Sequence, residues 1–169
     1  MQQMLILVDE NDNQIGVEEK IKAHQQALLH RAFSILIYNK KGEMLLQQRA
    51  LGKYHAGGLW TNACCGHPNP GETVEHAVHR RIQEEMGFDC ELTPLTHMVY
   101  KLPISNGLTE HEYLHRYNGI YDGEIVPNPE EAMSHRWITK ENLEKETREK
   151  PETFTPWFLL ALQKFPFGK

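Results

Sequence analysis

Residues 66–88 read GHPNPGETVEHAVHRRIQEEMGF, a turn-rich approach followed by a charged helix. The helix is legible from its spacing. Val74, Val78, Ile82 and Met86 recur every four positions with Ala77 beside them, which predicts an amphipathic helix over 72–86. Gly87 stands where a left-handed residue closes such a helix. Consecutive helical residues are about 100° apart, so Glu84 and Glu85 cannot both face one ligand. Arg80 with Glu84 and Arg81 with Glu85 are spaced as i,i+4 ion pairs, and on spacing alone a solvated, pair-laced face is the simplest reading.

Working outward, TNACC (61–65), if extended, sends Cys64 and Cys65 to opposite faces, one thiol into the core and its neighbour into a cleft; spacing does not say which. Residues 50–71 carry much Gly, Pro, His and aromatic character without periodicity, and an ordered loop is expected there. Before it, AFSILIYNKKGEMLLQQR (32–49) is a hairpin signal with Gly42 in the turn. MLILVDE (4–10) reads as a strand, the following NDNQIG as a turn, and 18–30 as containing a helical turn. After the helix, FDCELTPL, THMVYKL, EYLHRYNGIYDG and SHRWIT read as strands, with Cys90 on the core side of the first. Two helices close the chain, a charged one over 139–150 and a more buried one in TPWFLLALQKF with Pro156 in its first turn. The expected class is α+β, a mixed α/β/α sandwich, with residues 1–169 as one domain.

A net charge of -5 and a pI near 6.1 argue against a nucleic-acid or anionic-membrane partner and for a small molecule. Three cysteines, two of them adjacent, do not make a disulfide framework, and a reducing cytoplasm is expected. MQQMLILVDENDN has no basic leader and its apolar run stops at Asp9, so neither signal peptide nor membrane span is expected.

Glu110 and Glu112 lie two apart in TEHEYLH (109–115). On a strand they share one face, with His111 on the other. Adjacent carboxylates repel unless a cation or a shared proton lies between them, and with neutral imidazoles they would suit a mixed nitrogen and oxygen metal site. His24 and His30 are six apart, about 240° on a helix, so both can reach one ion only if the chain leaves the helix between them. His76 and His79 read as solvated helix residues, and spacing gives His55, His97, His111, His115 and His135 no partner.

Gly66, Glu72, Arg80, Glu84, Glu85, Gly87 and Phe88 match the Nudix box, G-x5-E-x7-R-E-U-x-E-E-x-G-U, with Arg81 standing where the pattern has Glu. The sequence thus resembles a superfamily that holds a divalent metal against a diphosphate. An arginine there removes a carboxylate from the hydrolytic metal cluster and adds a planar phosphate donor. Together, LLHRAFS, TNACCGHP, the altered box, Glu110-His111-Glu112 and FTPW resemble the type 1 isopentenyl-diphosphate δ-isomerase family in order, over roughly Lys20 to Trp157.

That resemblance implies a Nudix-like fold and the 1,3-allylic rearrangement of isopentenyl diphosphate to dimethylallyl diphosphate in isoprenoid biosynthesis. It implies Cys65 and Glu112 as catalytic groups, with Tyr100 and Trp157 near the isoprenoid tail, and Lys20, Arg49, Lys53 and Arg81 as phosphate contacts. It further implies His24, His30, His67, Glu110 and Glu112 as ligands of one divalent metal (Zn2+, Mn2+ or Mg2+). Glu85 and the Cys65 carbonyl would hold a second ion, Mg2+ arriving with the diphosphate. The expected protein is a cytoplasmic monomer. The alternatives are a Nudix hydrolase of a nucleoside diphosphate derivative, against which Arg81 speaks, and a structural zinc site, which lacks paired Cys-x2-Cys spacing.

Overall fold

A computed structural model describes residues 2–53 and 55–168. In chain order the strands are β1 (Met4–Val8), β2 (Gln14–Glu19), β3 (His30–Tyr38), β4 (Met44–Arg49), β5 (Trp60–Asn62) and β6 (Cys64–Gly66). After these come β7 (Thr93–Pro94), β8 (Met98–Pro103), β9 (Thr109–Ile120) and β10 (Ala132–Ile138). Among the described residues four α-helices accompany them: α1 (Lys20–Gln25), α2 (Val74–Met86), α3 (Lys140–Glu149) and α4 (Pro156–Lys164).

β3 organises the rest. Its alternate residues Phe33, Ile35 and Ile37 leave one face and Ala32 and Leu36 the other, and all five are buried. A strand apolar on both faces has to be covered on both. On the first face α2 lays Ala77, Val78, Ile82 and Met86 onto Phe33, Ile35 and Ile37. On the second, Leu143 of α3 and Phe158 of α4 pack with Leu36, Met44, Leu46 and Phe154. Each buried Val, Ile, Leu, Met or Phe side chain among these contributes roughly 1.5–3 kcal/mol by leaving water. The α/β/α sandwich expected from the sequence is the observed arrangement.

The sheet runs β10-β4-β3-β1-β2, with β5 on β4, β6 and β9 on β3, and β7 and β8 on β9. β9 runs parallel to β3, His30 opposite Glu112 and Ser34 opposite Arg116, while β6 runs antiparallel with Cys65 opposite Ser34. β3 therefore carries one flank of sequence around Cys65 and another around Glu112.

Several expectations need correction. Residues 50–71 are not all loop: β5 and β6 lie within them, three residues each. Strands that short leave no periodic trace and exist because β4 and β3 supply their ladders. The turn after β1 is confined to Asp9–Asn13, where the Asp9 carboxylate accepts the backbone N–H groups of Asn11 and Asn13. The chain then returns as β2, an edge strand that sequence reading did not separate from the turn. Of FDCELTPL only Thr93 and Pro94 pair with β9, and Cys90 is partly buried against the α2 core.

Helix α2 begins at Val74 rather than at 72, because the Thr73 hydroxyl caps it by accepting the His76 N–H at 3.1 Å. It ends as expected at Gly87, with φ 75°, where an added Cβ would strike the Val126 backbone. Among the described residues no helix is long and apolar enough to cross a membrane.

Candidate active site

A cavity of about 360 Å3 opens on the α4 side of the sheet and is lined by Cys65, His67, Tyr100, Glu110, Glu112 and Trp157. Lys20, Arg49, Lys53, Arg81 and Glu85 line it as well. Strand parity accounts for the gathering: Ser34 faces this side of β3, Cys65 is its partner on β6, and Glu110 and Glu112 share one face of β9. His111 points away, its Nδ1 2.9 Å from the Ala27 carbonyl.

His24, His30, His67 and Glu110 each offer a ligand atom, all within 4.8 Å of one another. His24 and His30 meet because α1 stops at Gln25, Ala27 takes a left-handed φ of 54°, and β3 starts at His30. The chain leaves the helix between them, as the spacing required. The Lys20 carbonyl accepts from His24 Nδ1 at 2.6 Å, and the Leu28 carbonyl accepts from His30 Nδ1 at 2.9 Å. Carbonyls only accept, so each ring carries its proton on Nδ1 and turns the Nε2 lone pair into the cluster.

Those two lone pairs face carboxylate oxygens, and His67 Nε2 faces one as well. His24 Nε2 lies 3.1 Å from Glu110 Oε2, while His67 Nε2 and His30 Nε2 lie 3.1 and 3.5 Å from Glu112 Oε2. His30 Nε2 is buried without a hydrogen-bond partner. Second protons on the rings are one remedy, but burial drives the His67 pKa well below its ordinary value. At His24 burial also lowers it, and the Glu110 carboxylate outweighs that and raises it. The donor set fits a divalent cation, with Glu112 beside it through His67 and His30.

Tyr100 donates its hydroxyl to Glu112 Oε1 at 2.5 Å. One oxygen of Glu112 is thus held by a phenol and the other faces the imidazoles. Burial alone would raise the Glu112 pKa, but His30 and Tyr100, which face its two oxygens, outweigh it, and the net direction is down. Tyr100 moves up, through burial first and the Glu112 charge second, and so remains a donor.

The two cysteines divide as parity allows, and here the assignment is made: Cys64 is fully buried against α2, and Cys65 lines the cavity. The Cys65 thiol lies 3.2 Å from Asn62 Oδ1. Asn62 cannot flip, because its Nδ2 is held by Ser34 Oγ, the Ile35 carbonyl and the Cys64 carbonyl at 2.9, 2.8 and 3.0 Å. Burial, and then the Glu112 charge, push the Cys65 thiol up to about 12.

Around Glu85 the box residues interlock. Arg81 bonds Glu84 and Glu85 at 2.5 Å each, and Arg80 pairs with Glu84 at 3.3 Å, so both i,i+4 pairs read from spacing are present. Gln47 donates to Glu85 Oε2 at 2.9 Å and to the Ala63 carbonyl at 2.8 Å, which fixes the carboxylate from the strand side. Trp157 faces the cavity with the Arg49 guanidinium 5.2 Å from its ring centroid and the His55 ring at 5.3 Å.

The structure therefore brings every expected site residue into this cavity or the histidine cluster behind it. His76 and His79 stay on the helix surface, paired with Glu72 and Asp89 at 2.6 Å each. Asn62, Gln47, His55 and Glu131 also belong to the site, and sequence reading did not name their roles. His55, whose contacts spacing does not reveal, has its Nε2 3.6 Å from Glu110.

Residues 28–158 match the NUDIX domain. An isopentenyl-diphosphate Delta-isomerase of Serratia proteamaculans is 51% identical over 163 residues, 96% of this chain and 91% of the relative. One of Burkholderia multivorans is 48% identical over 97% of this chain and 93% of its own. The crystal structure of the Deinococcus radiodurans protein DR0079 superposes with a TM-score of 0.79 at 19% identity, covering 96% of this chain and 98% of that one, which bears on the fold alone. By sequence along nearly its whole length, the chain belongs to the isopentenyl-diphosphate Delta-isomerases of the NUDIX superfamily.

Proposed function

We propose that this cavity interconverts isopentenyl and dimethylallyl diphosphate, with Cys65 and Glu112 as the proton-transfer pair. The reaction adds a proton at one carbon of an alkene and removes one from another, passing through a tertiary carbocation. One group must give and another take, from the two sides of a flat five-carbon skeleton. The observation that carries this reading is that Cys65 on β6 and Glu112 on β9 face one cavity from opposite flanks of β3.

Between them the pair holds one mobile proton. Burial raises the Cys65 thiol to about 12, while the groups facing the two oxygens of Glu112 hold its carboxyl below its ordinary value. Tyr100 steadies Glu112 and remains protonated, so it neither competes for that proton nor offers a charge to trap the cation. Trp157 presents an indole to the same cavity, where a π face near a developing positive charge is worth roughly 2 kcal/mol or more once desolvated.

His24, His30, His67, Glu110 and Glu112 would hold one divalent ion (Mn2+, Zn2+ or Mg2+), and Glu85 with the Cys65 carbonyl a Mg2+ that enters with the diphosphate. Bound there, such ions make Glu112 a stronger acid and neutralise phosphate charge. Lys20, Arg49, Lys53 and Arg81 bind the diphosphate and orient the skeleton. We further propose that residues 1–169 act as one domain, as a cytoplasmic monomer, on a free small molecule with no nucleic-acid or membrane partner.

An NMR assay of the purified chain with isopentenyl diphosphate, with and without chelator, tests the reading. Conversion to the dimethylallyl isomer that stops on chelation and returns with divalent metal is the expected result. Release of phosphate without isomerisation would instead identify a hydrolase.

A further inference from the structure

Inside the basic end of the cavity stands one carboxylate with no part in the chemistry above. Glu131 precedes β10 and is partly buried, its side chain 21% exposed. One of its oxygens is ion-paired with the Lys53 ammonium, and the other lies 3.4 Å from the Arg81 guanidinium. Lys53 sits in the turn after β4 and Arg81 on α2, so the carboxylate bridges two elements that do not otherwise share a ladder.

Glu131 is itself fixed by its main chain. Its N–H donates to the Asn128 carbonyl at 2.9 Å, and its carbonyl accepts from the Ala50 N–H at 3.0 Å. Asn128 in turn donates to the Glu85 carbonyl at 2.9 Å, which ties the segment to α2. A carboxylate anchored on both sides and aimed at two cations is a strut, not a surface charge.

We propose that Glu131 is a positioning residue for diphosphate binding, holding Lys53 and Arg81 in the orientation that meets the phosphate oxygens; this rests on the isomerase reading of the cavity. Two opposing effects decide the sign. Glu131 is an anion near an anionic ligand and so weakens binding by direct repulsion. Against that, a free lysine has four carbons of rotameric freedom to lose on binding, and a guanidinium that has drifted loses its fork geometry. The repulsion is blunted because each oxygen already faces a cation, so orientation wins. Immobilising two long side chains in advance corresponds to about a tenfold gain in affinity.

The test compares wild type, Glu131→Gln and Glu131→Asp as full-length chains with divalent metal, by calorimetric titration of inorganic pyrophosphate and by steady-state isomerisation. Glu131→Gln should weaken pyrophosphate and raise KM for isopentenyl diphosphate about tenfold while kcat falls less than twofold, and Glu131→Asp should recover part of the loss. In a Lys53→Met background, Glu131→Gln should add less than threefold, because one of its two clients is gone. Unchanged or tighter pyrophosphate binding in Glu131→Gln, a loss confined to kcat, or full additivity with Lys53→Met would overturn the proposal. Should Glu131→Gln fail to melt cooperatively, the same comparison is read from Glu131→Asp, where unchanged affinity overturns it. A wild-type chain that binds pyrophosphate but does not isomerise would sink the functional reading and leave the pyrophosphate comparison standing.

Discussion

Replacing Glu72 with glutamine removes the charge that joins the loop below Cys65 to α2, and the cost can be worked from contacts. Glu72 accepts from Arg80 Nε and Nη2 at 2.7 and 2.8 Å, from the Asn69 N–H at 2.9 Å, and faces His76 Nδ1 at 2.6 Å. The Arg80 guanidinium, with Asn69 and His76 assisting against a smaller burial effect, holds the Glu72 carboxyl down at about 2 against an ordinary 4.5. At about 1.4 kcal/mol per pH unit that drop amounts to about 3 kcal/mol. Solvent reaches part of the pair, since the Arg80 side chain is 25% exposed and that of Glu72 10%. Screening discounts the figure to about 1.5 kcal/mol.

The sign follows from the depressed folded value. The stabilisation is fully present above about pH 4.5, where the carboxyl is ionised in both states, and is lost as pH falls through about 2. Urea unfolding of wild type and Glu72→Gln at pH 7 should differ by about 1.5 kcal/mol at unchanged m, and the gap should close as pH approaches 2. A gap below about 0.5 kcal/mol at pH 7, or one of equal size at pH 3 and pH 7, would refute the assignment of this carboxylate as a clamp.

Cys65→Ala should abolish isomerisation with melting unchanged, whereas Cys64→Ala should keep turnover and lose roughly 1 kcal/mol in chemical denaturation, because Cys64 is buried in the α2 core. Gly66→Ala should cost about 1–3 kcal/mol, since its new Cβ would lie 2.8 Å from the ring tip of a fully buried Phe33. Turnover should fall with it, as Cys65 and His67 flank the displaced residue. In chelated protein at pH 8, Cys65, with its thiol up at about 12, should alkylate about a thousandfold more slowly than a free thiol titrating near 8.5; mass-resolved iodoacetamide labelling reads the rate. Equal labelling of Cys65 and a free thiol would show that burial does not hold its proton.

Wherever local period decides geometry, the sequence was informative. The four-residue recurrence from Val74 to Met86 gave α2 to within its cap, and the two-residue spacing of Glu110 and Glu112 put both carboxylates on one face. Arg80 with Glu84 and Arg81 with Glu85 met as spacing required. What local pattern could not supply were facts set by ladders between distant strands. β5 and β6 are strands only because β4 and β3 lie beside them, and which cysteine enters the core depends on the register of Cys64 opposite Ile35. Asn62, Gln47 and Glu131 are ordinary polar residues in sequence; their roles arise from contacts such as Gln47 with Glu85, 38 positions away. The family resemblance named residues that line this cavity and its histidine cluster, but not the neighbours that hold them.

The parallel pairing of β9 with β3 has a consequence for how the enzyme is born. His67 and Glu112 are 45 residues apart, His24 and Glu110 are 86, and β3 is the seam on which these partners converge. A nascent chain that has emerged only as far as α2 already owns both cysteines and three of the clustered histidines, yet lacks either carboxylate of TEHEYLH. Neither carboxylate can join the cluster until β9 pairs with β3, and Glu131 and Trp157 follow later still. Such a long loop closure is intrinsically slow, so assembly of the cavity waits on non-local strand pairing.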